Sequence, residues 1–268
     1  MNTNFGFIGC GNMGGALAAA VAKTVNGISL YLCDMLPQKA EALAASTGAK
    51  VSDLCEVATA CDYIFLGVKP QGFEALFEEI RPILQSRKTP FVLISMAAGI
   101  TLDTVEQLSG CAVPVIRIMP NTPVAVGEGM ILYCANAAVT AEQIDVFCHS
   151  LSAAGSLDAI PEDKIDAASA LSGCGPAFVY LFAEALADGA VRCGLARDKA
   201  NFYAAQTLLG AAELLLQSGK HAGELKDAVC SPGGTTIEGV RALEEGAFRA
   251  SAMNAVIAAY EKTLKLKK

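Results

Sequence analysis

The sequence of 268 residues has few of the side chains that bind transition metals. It contains only two histidines, His149 and His221, and none of its ten cysteines belongs to a CxxC pair. The ligand spacing of a zinc site is therefore absent, and we expect no metal. Most of the cysteines stand in apolar stretches, where a free thiol behaves as a small buried hydrophobe. So many unpaired thiols are typical of a reducing compartment, and they predict a cytoplasmic location.

Basic residues are also scarce. The chain has 20 Lys and Arg against 27 Asp and Glu, a net charge of -7, which argues against a nucleic-acid partner. No stretch approaches the roughly 18 consecutive apolar residues that a membrane span needs, so no membrane partner is expected. Residues 5–22 end in an alanine-rich run, but glycines interrupt it and no basic residue precedes it, which excludes a signal peptide.

Apolar residues make up 53% of the chain, enough for a sizeable core. Up to residue 160, apolar runs alternate with amphipathic segments. Nearly all-apolar runs are typical of parallel strands buried on both faces, and the alternation predicts an α/β, Rossmann-like, doubly wound sheet. The predicted strands are Phe5–Gly9, Ile28–Asp34, Tyr63–Val68, Phe91–Ser95 and Val113–Met119, with helices such as Gln38–Ser46 and Phe73–Leu84. Met130–Cys134 and Ser156–Ile160 are a further pair that can extend the sheet around a helix at 141–153.

After Pro161 the pattern becomes helical throughout, so we predict two domains, 1–160 and 161–268. Pro176 at a first turn, Asp198 as a cap, and Thr235 with Glu238 as a capping box are recognisable start signals. The predicted helices are Lys164–Leu171, Ala177–Cys193, Asp198–Ser218, Ala222–Val229, Thr236–Glu245 and Phe248–Leu266.

Two of these helical segments, 177–193 and much of 202–216, are apolar almost all round. Such helices need cover on every side, which a domain of about 105 residues cannot easily supply alone. We therefore predict a homo-oligomer whose helical domains pack together; the alternative is a compact monomeric bundle.

A glycine-rich motif follows the first predicted strand directly and opens a helix that ends near Lys23. In this context GxGxxG indicates a dinucleotide site. Its first glycine permits the tight turn, the second lets the backbone approach the pyrophosphate, and the third allows close packing of helix on strand, while the helix N-terminus presents free amides. The alternative is a turn without a ligand. The candidate cofactor-binding residues here are Ile8, Gly9, Cys10, Gly11, Asn12, Met13 and Gly14.

Asp34 closes the next strand, about 20 residues after Gly14. An acid there accepts hydrogen bonds from the ribose 2′-hydroxyl of NAD and repels a 2′-phosphate. No arginine follows it, so these residues taken alone favour NADH. The alternative is a helix cap ahead of Pro37.

Two more polar motifs follow predicted strands. Ligands in an open α/β sheet lie outside the carboxyl ends of the strands, so Val68-Lys69-Pro70 is placed near the cofactor, as is Asn121 within Met119–Pro123. The alternatives are a surface lysine and an ordinary rigid turn.

Two loops in the helical half are rich in small residues, 172–177 and 231–236. Backbone amides exposed at a helix N-terminus suit a carboxylate, and Thr235 and Thr236 add hydroxyl donors. The alternatives are tight helix packing for the first loop and a simple helix start for the second.

Over essentially its whole length the chain resembles the pyrroline-5-carboxylate reductase family. The resemblance rests on Gly6–Gly14, Val68–Pro70, Met119–Pro123 and above all on Leu225–Glu238, a run highly specific to that family. It implies reduction of L-Δ1-pyrroline-5-carboxylate to L-proline, the last step of proline biosynthesis. It also implies a dinucleotide domain followed by a helical domain that dimerises by interlocking, often within a larger ring.

The resemblance implies particular contacts. The cofactor, NADPH or NADH, would be bound by the glycine-rich loop, by Val68, Lys69 and Pro70, and by Met96, Ala97 and Ala98. Family members commonly use NADPH, and a small polar residue often stands where this chain has Asp34, which leaves the preference open. The substrate contacts implied are Ser231, Gly233, Gly234, Thr235 and Thr236, with Glu162 and the 172–177 loop nearby.

The chemistry fits these residues. A protonated cyclic imine is already electrophilic, so hydride transfer needs alignment rather than a metal or a covalent nucleophile. We expect Thr236 to contact the ring nitrogen as the catalytic hydroxyl. One alternative is a 3-hydroxyacid-type dehydrogenase, but its base would be a helix lysine, and Lys164, Lys199 and Lys226 lie in no such motif. A second is a nucleotide sensor, which would need no substrate loop.

Overall fold

The structure, a computed structural model, describes residues 3–25 and 29–266. In these residues eight strands form one sheet, in the order β3-β2-β1-β4-β5-β6-β7-β8. All neighbours are parallel except β6 and β7. The strands are β1 (Phe5–Ile8), β2 (Leu30–Cys33), β3 (Lys50–Val51), β4 (Tyr63–Leu66), β5 (Val92–Ser95), β6 (Val115–Pro120), β7 (Gly129–Ala135) and β8 (Gly155–Ala159).

Two layers of helices cover this sheet. The central strands β1, β4 and β5 are buried at every residue, as their unbroken apolar character predicts. One apolar cluster surrounds Phe7 and Phe65 on one face, and another surrounds Phe77 and Ile80 on the other. The helices are α1 (Asn12–Thr24), α2 (Pro37–Thr47), α3 (Leu54–Ala60), α4 (Phe73–Ser86), α5 (Leu102–Ser109) and α6 (Ala141–Ser150), followed by α7 (Ile165–Ser172). The predicted doubly wound sheet is confirmed.

The order of the strands determines where a ligand can bind. The chain passes from β1 outward to β2 and β3, then crosses back to β4 on the other side of β1. Neighbouring connections therefore leave β1 and β4 in opposite directions, and a crevice opens at their carboxyl ends. The glycine-rich loop follows β1 at this point, and Gly67 follows β4.

The boundaries differ from the predictions in several places. The structure adds β3, α3 and α5, and the predicted helix at 141–153 ends at Ser150, before a 3₁₀ turn. Most predicted strands are one or two residues shorter, and Ile28, the predicted start of β2, lies outside the described residues.

Two predicted helix caps are wrong. Thr235 is the first residue of its helix and Gly234 precedes it, without a side-chain cap. Asp198 lies within the first turn of a helix that begins at Arg197. Pro176, in contrast, takes the first-turn position predicted for it.

The chain divides into two compact units, Met1–Gly173 with Tyr260–Lys268, and Cys174–Ala259. This division falls after α7, and it assigns the last turns of the C-terminal helix to the first unit. The predicted functional domains, 1–160 and 161–268, stay a prediction. The helices that follow α7 are α8 (Gly175–Arg192), α9 (Arg197–Ser218), α10 (Ala222–Ala228), α11 (Thr235–Glu245) and α12 (Phe248–Leu266).

The second unit has a very small core of its own. In Cys174–Ala259, all of which is described, the fully buried apolar side chains are Ala187, Ala200 and Ala204. Large apolar side chains of α8 and α9 are instead exposed in the single chain, Leu181 at 68% and Leu216 at 84%. So much exposed apolar surface marks an interaction face.

By length and composition alone, the helical segment Glu162–Arg192 could cross a membrane. Only 11% of its most apolar window is buried within the single chain. A helix that packs against a partner chain has the same character, so the segment by itself is weak evidence for a membrane.

Candidate active site

Glycines allow close packing around the turn between β1 and α1. Gly9 has a φ of +103° and donates its N–H to Cys33 O at 2.8 Å. A Cβ on Gly14 would lie 2.1 Å from Gly9 O, and one on Gly67 would lie 2.6 Å from the same oxygen. The two glycines therefore let α1 and the end of β4 pack directly on the turn, which Cβ atoms would prevent.

The loop leaves space where a pyrophosphate would approach. Gly11 precedes α1 without a side-chain cap, so no side chain satisfies the first amides of the helix. A Cβ on Gly11 would meet no atom within 4 Å. Free amides beside open backbone fit a dinucleotide phosphate, so these residues suit a nicotinamide cofactor.

Asp34 is bonded to this loop. Its Oδ2 accepts the Cys10 N–H at 2.7 Å and its Oδ1 accepts the Leu36 N–H at 2.9 Å. Asp34 therefore does not cap α2, whose N-cap is Leu36. Burial, and next the charge of Asp34, raise the pKa of the Cys10 thiol to about 12. The thiol thus stays protonated and unreactive at neutral pH.

The other predicted cofactor residues follow the neighbouring strands. Val68 and Lys69 come after β4, and Pro70 opens a 3₁₀ turn; Lys69 is exposed. Met96, Ala97 and Ala98 follow β5, where the Ala97 N–H reaches Ser95 Oγ at 3.5 Å. The topology brings these segments to one edge of the sheet, although their contacts with a cofactor remain a prediction.

Asn121 has a structural role at the same edge. Its Nδ2 donates to Ser172 O at 2.9 Å and its Oδ1 accepts the Met130 N–H at 2.9 Å. The amide therefore fixes α7 and β7 to the end of β6. One N–H is left for a cofactor, so the predicted contact stays a hypothesis.

A buried ion cluster lies beside this edge, and the sequence analysis missed it. Arg117, in β6, places Nη1 3.1 Å from Glu162 Oε1 and Nη2 3.2 Å from Asp166 Oδ1. The Arg117 side chain is 1% exposed. Its one signal in the sequence is a charge within an otherwise apolar run, Val113–Met119.

Glu162 was predicted to lie near the substrate, and the structure gives its carboxylate other partners. Besides Arg117, Oε1 accepts the Leu102 N–H at 2.9 Å. Glu162 thereby links β6 to the end of the loop that contains Met96, Ala97 and Ala98. This geometry supports a positioning role for Glu162.

The predicted substrate loop lies in the second unit, at the start of α11. Gly233 adopts a φ of +67° and the Gly234 N–H donates to Ser231 O at 3.0 Å, which forms a tight turn. Thr235 and Thr236 open the helix without a cap bond. Both threonines are exposed, and backbone amides at a helix start can bind a carboxylate, so the substrate contacts stay a prediction.

The second predicted loop, 172–177, is different. Gly173 and Cys174 have right-handed helical dihedrals between α7 and α8. The Gly173 N–H is already bonded to Ser169 O at 2.8 Å. The segment is thus nearly continuous helix, which supports tight packing rather than an anion nest.

Comparison with known proteins identifies the family. A pyrroline-5-carboxylate reductase dimerisation model matches residues 162–266, and an NADP oxidoreductase, coenzyme F420-dependent, model matches residues 4–99. The chain is 39% identical over 271 residues to the pyrroline-5-carboxylate reductase of Escherichia coli K12, covering all of both chains. It is 39% identical over 270 residues to that of Methanosarcina acetivorans, covering 100% of this chain and 99% of the relative.

This chain belongs to the pyrroline-5-carboxylate reductase family. It is an NAD(P)-dependent oxidoreductase, as its sequence predicts. Solved structures agree: that of a pyrroline-5-carboxylate reductase from Coxiella burnetii has a TM-score of 0.92 at 32% identity, with full coverage of both chains. The Plasmodium falciparum pyrroline carboxylate reductase, solved with NADP bound, has a TM-score of 0.87 at 34% identity, covering 100% of this chain and 99% of that one. These comparisons support the predicted homo-oligomer and a small-molecule substrate.

Proposed function

We propose that this chain reduces L-Δ1-pyrroline-5-carboxylate to L-proline with NADPH or NADH, as the last step of proline biosynthesis. The observation that carries the proposal is the exposed turn at 231–236, where α11 begins without a side-chain cap and two threonines stand at its first positions. Relatives named for this reductase, 37% to 42% identical, support it.

Some residues of the chain bind the cofactor and the substrate, and one controls the proton on the substrate nitrogen. When bound, the cofactor supplies the hydride. The Gly9–Gly14 loop, Asp34, Val68–Pro70 and Met96–Ala98 hold and orient it. The amides and hydroxyls at Ser231, Gly233, Gly234 and Thr235 bind the substrate carboxylate. The Thr236 hydroxyl contacts the ring nitrogen and keeps its proton in place.

The proposal includes the assembly and location of the enzyme. We assign residues 1–160 to cofactor binding and 161–268 to substrate binding and dimerisation. The exposed apolar faces of α8 and α9, and the dimerisation model over 162–266, support a homodimer formed through the helical domain. The family resemblance extends this proposal to a larger ring. The ten free cysteines support a cytoplasmic enzyme, without a membrane or nucleic-acid partner.

The purified full chain is expected to oxidise NADH or NADPH only when pyrroline-5-carboxylate is present. A protonated imine accepts hydride without a general base, whereas alcohol oxidation requires a base to take the hydroxyl proton. The measurement is the loss of reduced nicotinamide absorbance, with 3-hydroxy acids plus oxidised cofactor as the control. Turnover of a 3-hydroxy acid without turnover of the imine would contradict the assignment.

Thr236→Ala is expected to lower kcat by tenfold to a hundredfold. This is the value of one hydrogen bond made in the transition state, about 1.4–3 kcal/mol. Cofactor affinity should change little, and Thr236→Ser, which keeps the hydroxyl, should recover most of the rate. Steady-state kinetics and melting curves of the same samples measure both effects.

The neighbouring variant Thr235→Ala is the matched control. If Thr235 binds the carboxylate in ground and transition states alike, its loss raises KM more than it lowers kcat. Because Gly234, not Thr235, precedes α11, no cap is lost in this variant. An unchanged kcat in folded Thr236→Ala would assign proton control to other groups.

A further inference from the structure

Asp34 holds a negative charge in a fixed position beside the cofactor loop. Each carboxylate oxygen accepts one backbone amide, Oδ2 from Cys10 at 2.7 Å and Oδ1 from Leu36 at 2.9 Å. These two amides belong to different segments, the turn after β1 and the turn after β2. Hydrogen bonds from amides to an ionised acceptor are about twice as strong as neutral ones. Rotation of the side chain would break both bonds, so the charge cannot easily move aside.

The surroundings offset this charge only in part, because Lys39 lowers the pKa of the Cys10 thiol by less than Asp34 raises it. The residues after it, Met35 to Gln38, are uncharged, and the first cation along the chain is Lys39. In the parts of the chain that the structure describes, no lysine or arginine forms an ion pair with Asp34. The charge of Asp34 is also the second largest cause, after burial, of the raised pKa of the Cys10 thiol. The field of Asp34 therefore acts directly on the loop.

The two forms of the cofactor differ at this position. An acid that closes the second strand faces the adenosine ribose, where NADH carries a 2′-hydroxyl and NADPH a 2′-phosphate. Each carboxylate oxygen that accepts one amide can still accept a hydroxyl, because a carboxylate has about four acceptor sites. A 2′-phosphate brings nearly two negative charges and no donor to this acceptor.

We propose that Asp34 makes this enzyme select NADH over NADPH. The hydrogen bonds from the backbone amides of Cys10 and Leu36, which fix its carboxylate beside the glycine-rich loop, enforce the choice. The proposal rests on the proposed function and assigns the cofactor of that reaction. Asp34 then has two roles, because it orders the loop for either cofactor and discriminates between them through its charge.

The test is the ratio of NADH to NADPH, in catalysis and in binding. In the wild type, kcat/KM for NADH should exceed that for NADPH by at least tenfold. Calorimetric titration of the full chain with NAD⁺ and NADP⁺ should show the same order of affinity. The discrimination should weaken as salt is added, because Asp34 is only partly buried and ions screen such a charge.

Variants separate the two roles. Asp34→Ser should lower the ratio of NADH to NADPH by at least tenfold, because the 2′-phosphate is no longer repelled while NADH loses its acceptor and an ordered loop. Asp34→Asn keeps the size and one acceptor oxygen but removes the charge, and should shift the ratio in the same direction. Glu41→Gln removes an equal charge from an exposed position on α2 and should leave the ratio unchanged.

A wild type that prefers NADPH, or an unchanged ratio in folded Asp34→Ser, would overturn the proposal. Failure of the proposed function gives a different result. In that case pyrroline-5-carboxylate is not reduced with either cofactor, yet the calorimetric order of NAD⁺ and NADP⁺ still decides whether Asp34 selects.

Discussion

Replacing Arg117 by methionine is expected to lower the free energy of unfolding by about 3–5 kcal/mol, the usual cost of removing one partner from a buried ion cluster. The Arg117 side chain is 1% exposed, and its guanidinium lies between the carboxylates of Glu162 and Asp166. Without the cation the two carboxylates face each other, and Asp166 is 4% exposed. Methionine is unbranched and fills most of the volume of the arginine stem, so cavity formation contributes less than the loss of the charge. Denaturant unfolding at one fixed protein concentration measures the loss, because oligomerisation contributes to apparent stability.

Glu162→Gln is the matched control for this cluster. The Glu162 side chain is 30% exposed, and glutamine keeps an oxygen for the Leu102 N–H. Its cost should therefore be well below that of Arg117→Met. Combining Arg117→Met with Asp166→Asn should cost less than the sum of the single changes, because the cation and its carboxylate act as one unit. A loss below about 1 kcal/mol for Arg117→Met would show that the cluster is not held by this cation.

The ion cluster also shows which parts of a site can be predicted from the sequence. The apolar run that contains Arg117 was predicted as a strand, and an arginine within it indicates a buried partner. Its partners, however, lie 45 and 49 residues away in the chain. They belong to the turn before α7 and to α7 itself. Only the packing of α7 on β6 and β7 brings them together, and no local pattern encodes that packing.

The elements that were predicted and those that were missed differ in length. β1 and β4 are unbroken apolar runs, and β5 and β6 each contain a single polar residue, Ser95 and Arg117. Their pattern alone therefore predicts a sheet buried on both faces. The missed elements are short: β3 has two residues and α3 has seven. A seven-residue helix completes about two turns, too few for an apolar period to be distinguished from chance.

The cofactor loop was predicted because its chemistry is local. The three glycines of the motif and Asp34 stand at the spacing that a dinucleotide requires. Gly67 was missed. A Cβ at this position would collide with Gly9 O, which is more than fifty residues away in the chain, so no local pattern indicates that glycine is needed there. The anchoring of Asp34 to Cys10 was missed for the same reason, since it depends on β1 and β2 being neighbours.

The helical half was predicted to need a second copy of the chain, and the structure gives that argument a physical basis. Three alanines form the buried apolar set of Cys174–Ala259, and burial of alanine contributes far less than burial of leucine. The leucines of α8 and α9 are exposed in the single chain, so the free energy of burying them is not gained until a partner covers them. Composition alone indicates this deficit, because a helix that is apolar all round needs cover on every side.

Gly11→Ala and Gly14→Ala are expected to separate binding from folding in the cofactor loop. A Cβ on Gly14 would lie 2.1 Å from the backbone oxygen of Gly9, so the turn must shift. Overpacking of this kind costs about 1–3 kcal/mol of stability, and displaced amides should raise the Kd for NAD⁺ about a hundredfold, or about 2.7 kcal/mol. A Cβ on Gly11 meets no atom within 4 Å, so Gly11→Ala should melt at the wild-type temperature. It should nevertheless raise the Kd at least tenfold, because the new methyl group occupies the approach to the pyrophosphate.

The control for this pair is Gly15→Ala. Its added Cβ would lie 3.3 Å from Cys10 O, a contact that a small adjustment relieves. It stands in the first turn of α1, where alanine favours helix over glycine by about 1 kcal/mol. Calorimetric affinity and melting temperature, measured with and without NAD⁺, separate the three variants. If Gly11→Ala binds NAD⁺ as tightly as the wild type, the pyrophosphate does not pass over Gly11. If Gly14→Ala melts unchanged, α1 is not held against the turn as closely as the 2.1 Å approach requires.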